Sequence, residues 1–463
     1  MVSTCPVATK TGRLMSLLQS PKNLRWMFGF LLVLVCLVYL ASNSNWCQAA
    51  FVQASYSSDR TYSVWPPFLL PSQYNQDWFI TKCVIGFHFS ITDLSSILQQ
   101  WSKSKDPSCR NLFKRFSSVY DVENRKAPLL FPGPFQSKVR LWVGNNEKLF
   151  QQAFHQEVIN VYNYFTREHT IYNPLRDKRP ITKPKEPEEV YIERLISESK
   201  NSCDFCHYRN FTAEHTMHRL ESKFAFTASN AFKMDKWHAL FALKKHHPLN
   251  WSLDEYMDLM NLSVKWFQAA STFDESAQYP VIVWDILPHA GASQVHPHMH
   301  GFIDPTHYHG VVEMWRTAGE DYYRQSGKNY FQDLVNFYSA LGLTVEHGNA
   351  VAFANLVPKK DNEIVVMSPV AGESFFQLIF FVLRAFIDDL NKYCISMGFG
   401  LPALKSSHGR IPAYARIITR GPVADVRTDM SSLELFAATN VNIDPWKAIL
   451  YIKDSVERRS KNL

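Results

Sequence analysis

Eight cysteines in 463 residues are too few for a disulfide-knit scaffold, so the core of this chain must come from apolar packing. Long runs of one charge are missing as well. The formal net charge of +7 is spread along the chain, basic clusters such as Lys244-Lys245 are short, and aromatic residues are not repeatedly interleaved with them. That excludes a dedicated nucleic-acid groove and leaves an anionic ligand or a membrane surface as the partner the charge favours. The signature of disorder is absent too, because 46% hydrophobic against 20% charged residues is ordinary for globular protein. The length suffices for two or three domains around at least one large core.

No acidic residue precedes Asp59, whereas Lys10, Arg13, Lys22 and Arg25 lie ahead of an uncharged apolar run from Trp26 to Ser42. A run of that length is at the short end of a membrane span, and the positive-inside rule places the basic side in the cytosol. The expectation is a cytosolic tail (1–25), a transmembrane helix (26–42) and a stem (43–75). The chain would then be a single-pass type II membrane protein of the endoplasmic reticulum or Golgi, with a lumenal catalytic body. A cleaved signal peptide is the competing reading, since Gln48-Ala49-Ala50 is a tolerable cleavage region, but the basic n-region is long for one. Sequons at Asn210, Asn250 and Asn261 are compatible with a lumenal body, although chance produces such triplets. In that setting Cys83 and Cys109 could pair, with connectivity not established by sequence.

Residues 76–168 form an N-terminal extension to which no chemistry attaches. The Pro-rich, charged segment Arg179-Pro-Ile-Thr-Lys-Pro-Lys-Glu-Pro187 reads as a surface connection. Beyond it, Phe224–Thr227 and Ala239–Leu243 read as strands, Leu253–Phe273 as an amphipathic helix and Tyr279–Ile286 as an apolar strand, followed by a Pro-His-Ala-Gly turn and a histidine-bearing strand. A similar series follows: strands Ala350–Ala354 and Glu363–Met367, a helix Glu373–Ser396 and a strand Ala413–Thr419. The fold class expected is α+β, two tandem repeats (169–320 and a degenerate 321–463) with antiparallel sheets and packing helices.

The chemistry concentrates in Gly291-Ala-Ser-Gln-Val-His296-Pro-His298-Met-His300-Gly301. On an extended strand alternate side chains share a face, so three imidazoles point the same way beside a glycine turn. A ring nitrogen there can attack phosphorus and form a covalent phosphoramidate, splitting one hard displacement into two easier ones. The plain alternatives are a run of surface histidines or a metal-only site. His307-Tyr-His309 is such a structural pair. Upstream, Cys203-Asp-Phe-Cys206 and His246-His247 supply two thiolates and an imidazole, which with His296 make a tetrahedral zinc set. The alternative for the cysteine pair is a redox couple or disulfide, although no thioredoxin-like βαβ pattern surrounds it.

The segment Gly291 to His298 resembles the active-site segment of the galactose-1-phosphate uridylyltransferases, of the histidine-triad superfamily. The resemblance runs in order through Tyr172-Asn-Pro-Leu, Cys203-Asp-Phe-Cys206, Phe226-Thr-Ala-Ser-Asn230-Ala-Phe, Leu243-Lys-Lys-His246, Tyr322-Tyr through Gly327, Phe331-Gln-Asp-Leu-Val and Pro358 to Pro369, spanning about residues 169 to 455. It implies that His298 attacks the α-phosphorus of a nucleotide sugar and releases a sugar 1-phosphate. It implies Zn2+ held by Cys203, Cys206, His246 and His296, with His247 the second choice for the third ligand. Substrate contacts would come from Ser293 on a phosphate oxygen, Asn230 near the ribose or base, and Gln294 and His300. A homodimer is also implied. The chain departs from the family at three positions. His300 replaces a glutamine, which is the pattern of the superfamily's hydrolases and phosphoramidases. Asp285 and Leu287 replace an asparagine and a glycine. The expected activity is therefore a nucleotidyltransferase or nucleotide-sugar phosphorylase, with a histidine-triad hydrolase or an inactive nucleotide-binding relative as alternatives.

Overall fold

Ser252 caps the helix Leu253–Phe273, accepting from the Glu255 N–H while the Glu255 side chain accepts from the Ser252 N–H. Such a reciprocal box satisfies two donors that the first turn otherwise leaves bare. The buried stripe of this helix includes Trp266 and Phe267, which meet Phe241 at ring distances of 5.6 and 5.7 Å. The strand carrying Phe241 thereby turns one face to the helix and leaves the other for chemistry. The computed structural model describes residues 71–463 except 87, 179–185, 406–410, 426–427 and 462.

Thirteen strands are formed among the described residues: β1 (Tyr120–Pro128), β2 (His155–Asn163), β3 (His169–Tyr172), β4 (Ala225–Ser229), β5 (His238–Leu243), β6 (Tyr279–Ile286), β7 (His298–Asp304), β8 (Thr344–His347), β9 (Ala350–Ala354), β10 (Ile364–Ser368), β11 (Ile395–Gly400), β12 (Ala413–Thr419) and β13 (Ala438–Val441). Nine make one sheet in the order β4-β5-β7-β6-β11-β12-β10-β9-β8, antiparallel throughout. The other four run β1-β2-β3-β13, with β3 and β13 parallel. The antiparallel α+β class expected from the strand and helix series is thus observed.

Apart from the edge strand β8, the nine-stranded order is symmetric about the β6–β11 seam. A half-turn through the Val283–Gly398 pair carries Ala225–Ser229 onto Ala350–Ala354, five residues onto five. It also carries His300, opposite Val283, onto Arg416, opposite Gly398. The helix Glu373–Arg384 covers the second half as Leu253–Phe273 covers the first.

The extension before residue 169 is stapled by a Cys83–Cys109 disulfide, and it joins the main core. Phe116 packs edge-on to Phe337 at 5.5 Å, the Tyr120 and Tyr338 hydroxyls lie 2.9 Å apart, and Arg115 pairs with Asp333.

Two expectations change. The helix read as Glu373–Ser396 ends at Arg384, runs through a π-turn to Asp389 and yields to β11. Asn391 at φ +50° turns the chain, and Ile395–Gly400 is drawn into the sheet between β6 and β12. The type II membrane assignment is withdrawn: among the described residues no helix is long and apolar enough to cross a membrane. The longest, Leu253–Phe273, is amphipathic and carries Asp254, Glu255, Asp258 and Lys265, whereas a span needs about 20 predominantly apolar residues. The apolar run 26–42, with the tail before it and the stem as far as residue 70, lies outside the described residues.

Candidate nucleotidyl-transfer site

His298 opens β7, where register sets it opposite Ala242 of β5. Its Nδ1–H donates to its neighbour's carbonyl, His296 O, at 2.8 Å. A carbonyl only accepts, so in the neutral ring Nδ1 holds the proton and Nε2 holds the lone pair. Burial pushes this imidazole below its ordinary value, against the opposing pull of the His296 carbonyl and the Asp285 carboxylate. The ring is 4% exposed, with Phe205 covering it at 5.0 Å. His300 follows on the same face at 5.3 Å.

Cys203, Cys206, His246 and His296 come together although they are scattered in sequence, their ligand atoms all within 4.8 Å of one another. His296 donates Nε2–H to Leu243 O at 2.5 Å, and His246 donates Nε2–H to Ile196 O at 3.2 Å. Both rings therefore turn an unprotonated Nδ1 inward, oriented by an outer carbonyl as metal-binding histidines are. Sulfur–nitrogen separations are 3.5, 3.4 and 3.7 Å, and the two Nδ1 atoms are 3.4 Å apart. Zinc bonds of about 2.3 Å to sulfur and 2.05 Å to nitrogen in a tetrahedron require edges of about 3.6 and 3.3 Å. The donor set fits zinc. Cys203 and Cys206 are not bonded to each other, and burial together with Cys203 pushes the Cys206 thiol up to about 11. His247 turns away, its Nδ1 accepting from the Leu249 and Asn250 N–H groups.

The remaining expected residues are dispersed. Ser293 is exposed and Gln294 half-buried in the turn before β7, and neither side chain makes a hydrogen bond to the described residues. Asn230 follows β4 and its Oδ1 accepts from Phe232 N–H at 2.9 Å. Phe226 occupies the His298 row two strands away, so Asn230, four residues on and past the end of β4, is displaced from that row by about 13 Å along the strand direction as well. Lys244 donates to Ser222 O and Lys245 to Glu255. His309 lies 3.5 Å from Asp235 near the far end of β7. Asp235, Asp304 and His309 are the other described group whose ligand atoms converge, all of them half-exposed.

The turn between β6 and β7 is strained and clamped. Leu287 is held at φ +73°, ψ 154°, a region that only glycine enters freely, while its side chain is 1% exposed. Asp285 lies under the turn: a Cβ on Gly291 would come 3.1 Å from its Oδ2. Burial raises this carboxyl above its ordinary value. From across the seam, Arg420 donates to Ala290 O at 3.1 Å and to Ser396 Oγ at 3.0 Å, itself fixed by two bonds to Asp429. A cavity of about 720 Å³, lined in part by His289, Lys360, Lys392 and Arg420, opens beside the turn.

No family model matches the chain, and no curated protein matches its sequence. Solved structures do. ADP-glucose phosphorylase from Arabidopsis thaliana with bound ADP-glucose superposes with a TM-score of 0.50 at 14% identity, over 62% of this chain and 96% of that one. This chain has that fold. A galactose-1-phosphate-uridylyltransferase-like protein from Arabidopsis thaliana (TM-score 0.46, 14% identity, 54% and 91% covered) and a uridylyltransferase (0.45, 14%, 65% and 99%) are also similar.

Within the phosphorylase fold the two halves of the sheet differ. The half-turn takes His298 to Tyr414 and His300 to Arg416. Tyr414 is stacked under Trp315 at 5.1 Å, and Arg416 is paired with Glu168 and Glu363. The second half thus offers packed side chains and an ion-pair network where the first offers imidazoles.

Three site residues escaped the sequence reading: His238, Ser396 and Arg420. His238 alternates with Leu240 and Ala242 along β5, a spacing that puts it on the histidine face. Ser396 and Arg420 carried no signal, because only the seam brings them to the turn.

Proposed function

We propose that this chain is a nucleotide-sugar phosphorylase or nucleotidyltransferase that works through a nucleotide held on His298. The observation that carries the reading is the His298 Nδ1–H bond to the His296 carbonyl, which leaves Nε2 as a fixed lone pair. That nitrogen forms a bond to the α-phosphorus while the bond from this phosphorus to the β-phosphate oxygen breaks. The electron pair departs with the sugar 1-phosphate. The ring becomes cationic, and the His296 carbonyl stabilises it through the same hydrogen bond. A phosphate oxygen of an acceptor then attacks phosphorus, the N–P bond breaks and its electrons return to Nε2.

Cys203, Cys206, His246 and His296 would hold zinc as a structural ion that fixes the base of β7. The repeats 169–320 and 321–463 are read as a duplication in which the first keeps the chemistry. ADP-hexoses are the first substrates to try, in view of the ligand in the Arabidopsis phosphorylase. Incubation with ADP-glucose or UDP-glucose should add one nucleoside monophosphate to the intact mass as an acid-labile adduct, and His298→Ala should abolish it. No adduct from either nucleotide sugar, with variant and wild type alike, overturns the reading. Asp285 favours a second reading, binding without turnover, because a carboxylate under the phosphate turn repels an anion when ionised. Nucleotide binding that survives His298→Ala, without turnover, would select it.

A further inference from the structure

His238 is fully buried and takes no part in the steps above, yet both its ring nitrogens are committed. The backbone N–H of Met234 donates to Nδ1 at 3.2 Å, and Nε2 lies 2.9 Å from His300 Nδ1. A backbone N–H only donates, so Nδ1 of His238 is a lone pair, and in the neutral ring the proton sits on Nε2. That proton is donated to His300 Nδ1, which must then be a lone pair in turn. The one proton left to His300 is on Nε2, and among the described residues that atom meets no protein acceptor. Phe302 stacks on His238 at 4.4 Å and holds the plane of the relay. Burial pushes both rings down to about 4, in keeping with neutral imidazoles.

The second half of the sheet supports the pairing independently. The half-turn carries His238 to Glu363 and His300 to Arg416, and those two side chains also bond to each other, Arg416 Nη2 to Glu363 Oε1 at 2.7 Å. In the first half the opening residue of β5 holds the group on β7, and in the second the residue just before β10 holds the group on β12.

On the reading that His298 carries the nucleotide, we propose that His238 is a positioning residue that locks His300 in its Nε2–H tautomer, making it a neutral donor to a phosphate oxygen and restricting the site to leaving groups that depart as anions. A proton on His300 Nδ1 would face the His238 Nε2–H, and His238 cannot give that proton up while Met234 N–H fills its other nitrogen. His300 is therefore no imidazolium acid. Phosphoanhydrides, whose leaving phosphate needs no proton, are the substrate class. Phosphoramidates and alkyl phosphate esters, whose amine or alkoxide must be protonated as the bond breaks, are excluded.

The test combines turnover with the tautomer itself. His300→Gln keeps an N–H donor on a planar group and should cost no more than about tenfold with ADP-hexose, against about a hundredfold for His300→Ala, the usual loss of a phosphoryl-oxygen donor. His238→Phe should lower turnover about tenfold in the wild-type background and less than about twofold in the His300→Gln background. Nucleoside 5′-phosphoramidates should turn over at least about a hundredfold more slowly than ADP-hexose. Nitrogen-15 spectra of histidine-labelled wild type should show the His300 proton on Nε2. Equal losses from His238→Phe in both backgrounds, a His300 proton on Nδ1, or phosphoramidate turnover matching the anhydride would each overturn the proposal. If the wild type forms no adduct, the function reading fails and the donor role with it, while the spectra still decide the tautomer lock.

Discussion

Cys206→Ser removes one thiolate from the four-ligand cluster and tests the metal reading directly. The observed edges of 3.5, 3.7, 3.4 and 3.4 Å are within about 0.2 Å of those a tetrahedral zinc requires. The ligands are therefore already placed and need no reorganisation on binding. A serine hydroxyl does not ionise at neutral pH, so the variant keeps a single thiolate and should lose affinity by well over the 10–100-fold typical of an outer-shell change. Free zinc at about a hundred times its dissociation constant stabilises the folded chain by about 2.7 kcal/mol. For a chain of this length that is roughly 3 °C in Tm. Elemental analysis of the wild type should show close to one zinc per chain, and a strong chelator should lower its Tm by that amount. The variant should hold no zinc, melt at the lower temperature and ignore the chelator. Phe205, between the two cysteines, shields His298, so amide exchange over residues 201–211 should quicken in the variant. Wild type well short of one zinc per chain, with Cys203 and Cys206 found as a disulfide, would refute the reasoning.

Two further outcomes follow from the packing and the protonation. Gly301→Ala places a Cβ 2.4 Å from Phe241 Cε2 and 3.2 Å from Phe267 Cζ in a core with no room to yield, and should cost about 1–3 kcal/mol of stability in denaturant titration; a neutral result would show that the strand can shift. His238 and His300 have folded pKa values near 4, below the ordinary histidine value, so the stability they contribute is present above about 6.5 and is lost as pH falls toward 4. Replacing His300 by glutamine removes one such group, and the acid slope of unfolding free energy between those limits should flatten by at most about 1.4 kcal/mol per pH unit; identical slopes would show that His300 titrates normally.

Short-range pattern alone determined much of this protein. The capping pair and 3.6-residue period of Leu253–Phe273, the apolar run of Tyr279–Ile286 and the alternation of His298 and His300 are local properties, and their elements form where the residues place them, although the strand starts at His298 and leaves His296 in the bend before it. What tertiary structure decided is every meeting between distant strands. Cys206 reaches His246 and His296 across 40 and 90 residues, and His238 reaches His300 across 62. Arg420 arrives at the turn before β7 from the other half of the sheet, 130 residues from the Ala290 carbonyl it clamps. Even β11 is a strand because partners on both sides take its hydrogen bonds, while its own glycines and the preceding helical period argued otherwise. Side-chain spacing along one strand is set by backbone geometry, whereas the register between strands is set by how two faces bury one core, which no local window contains.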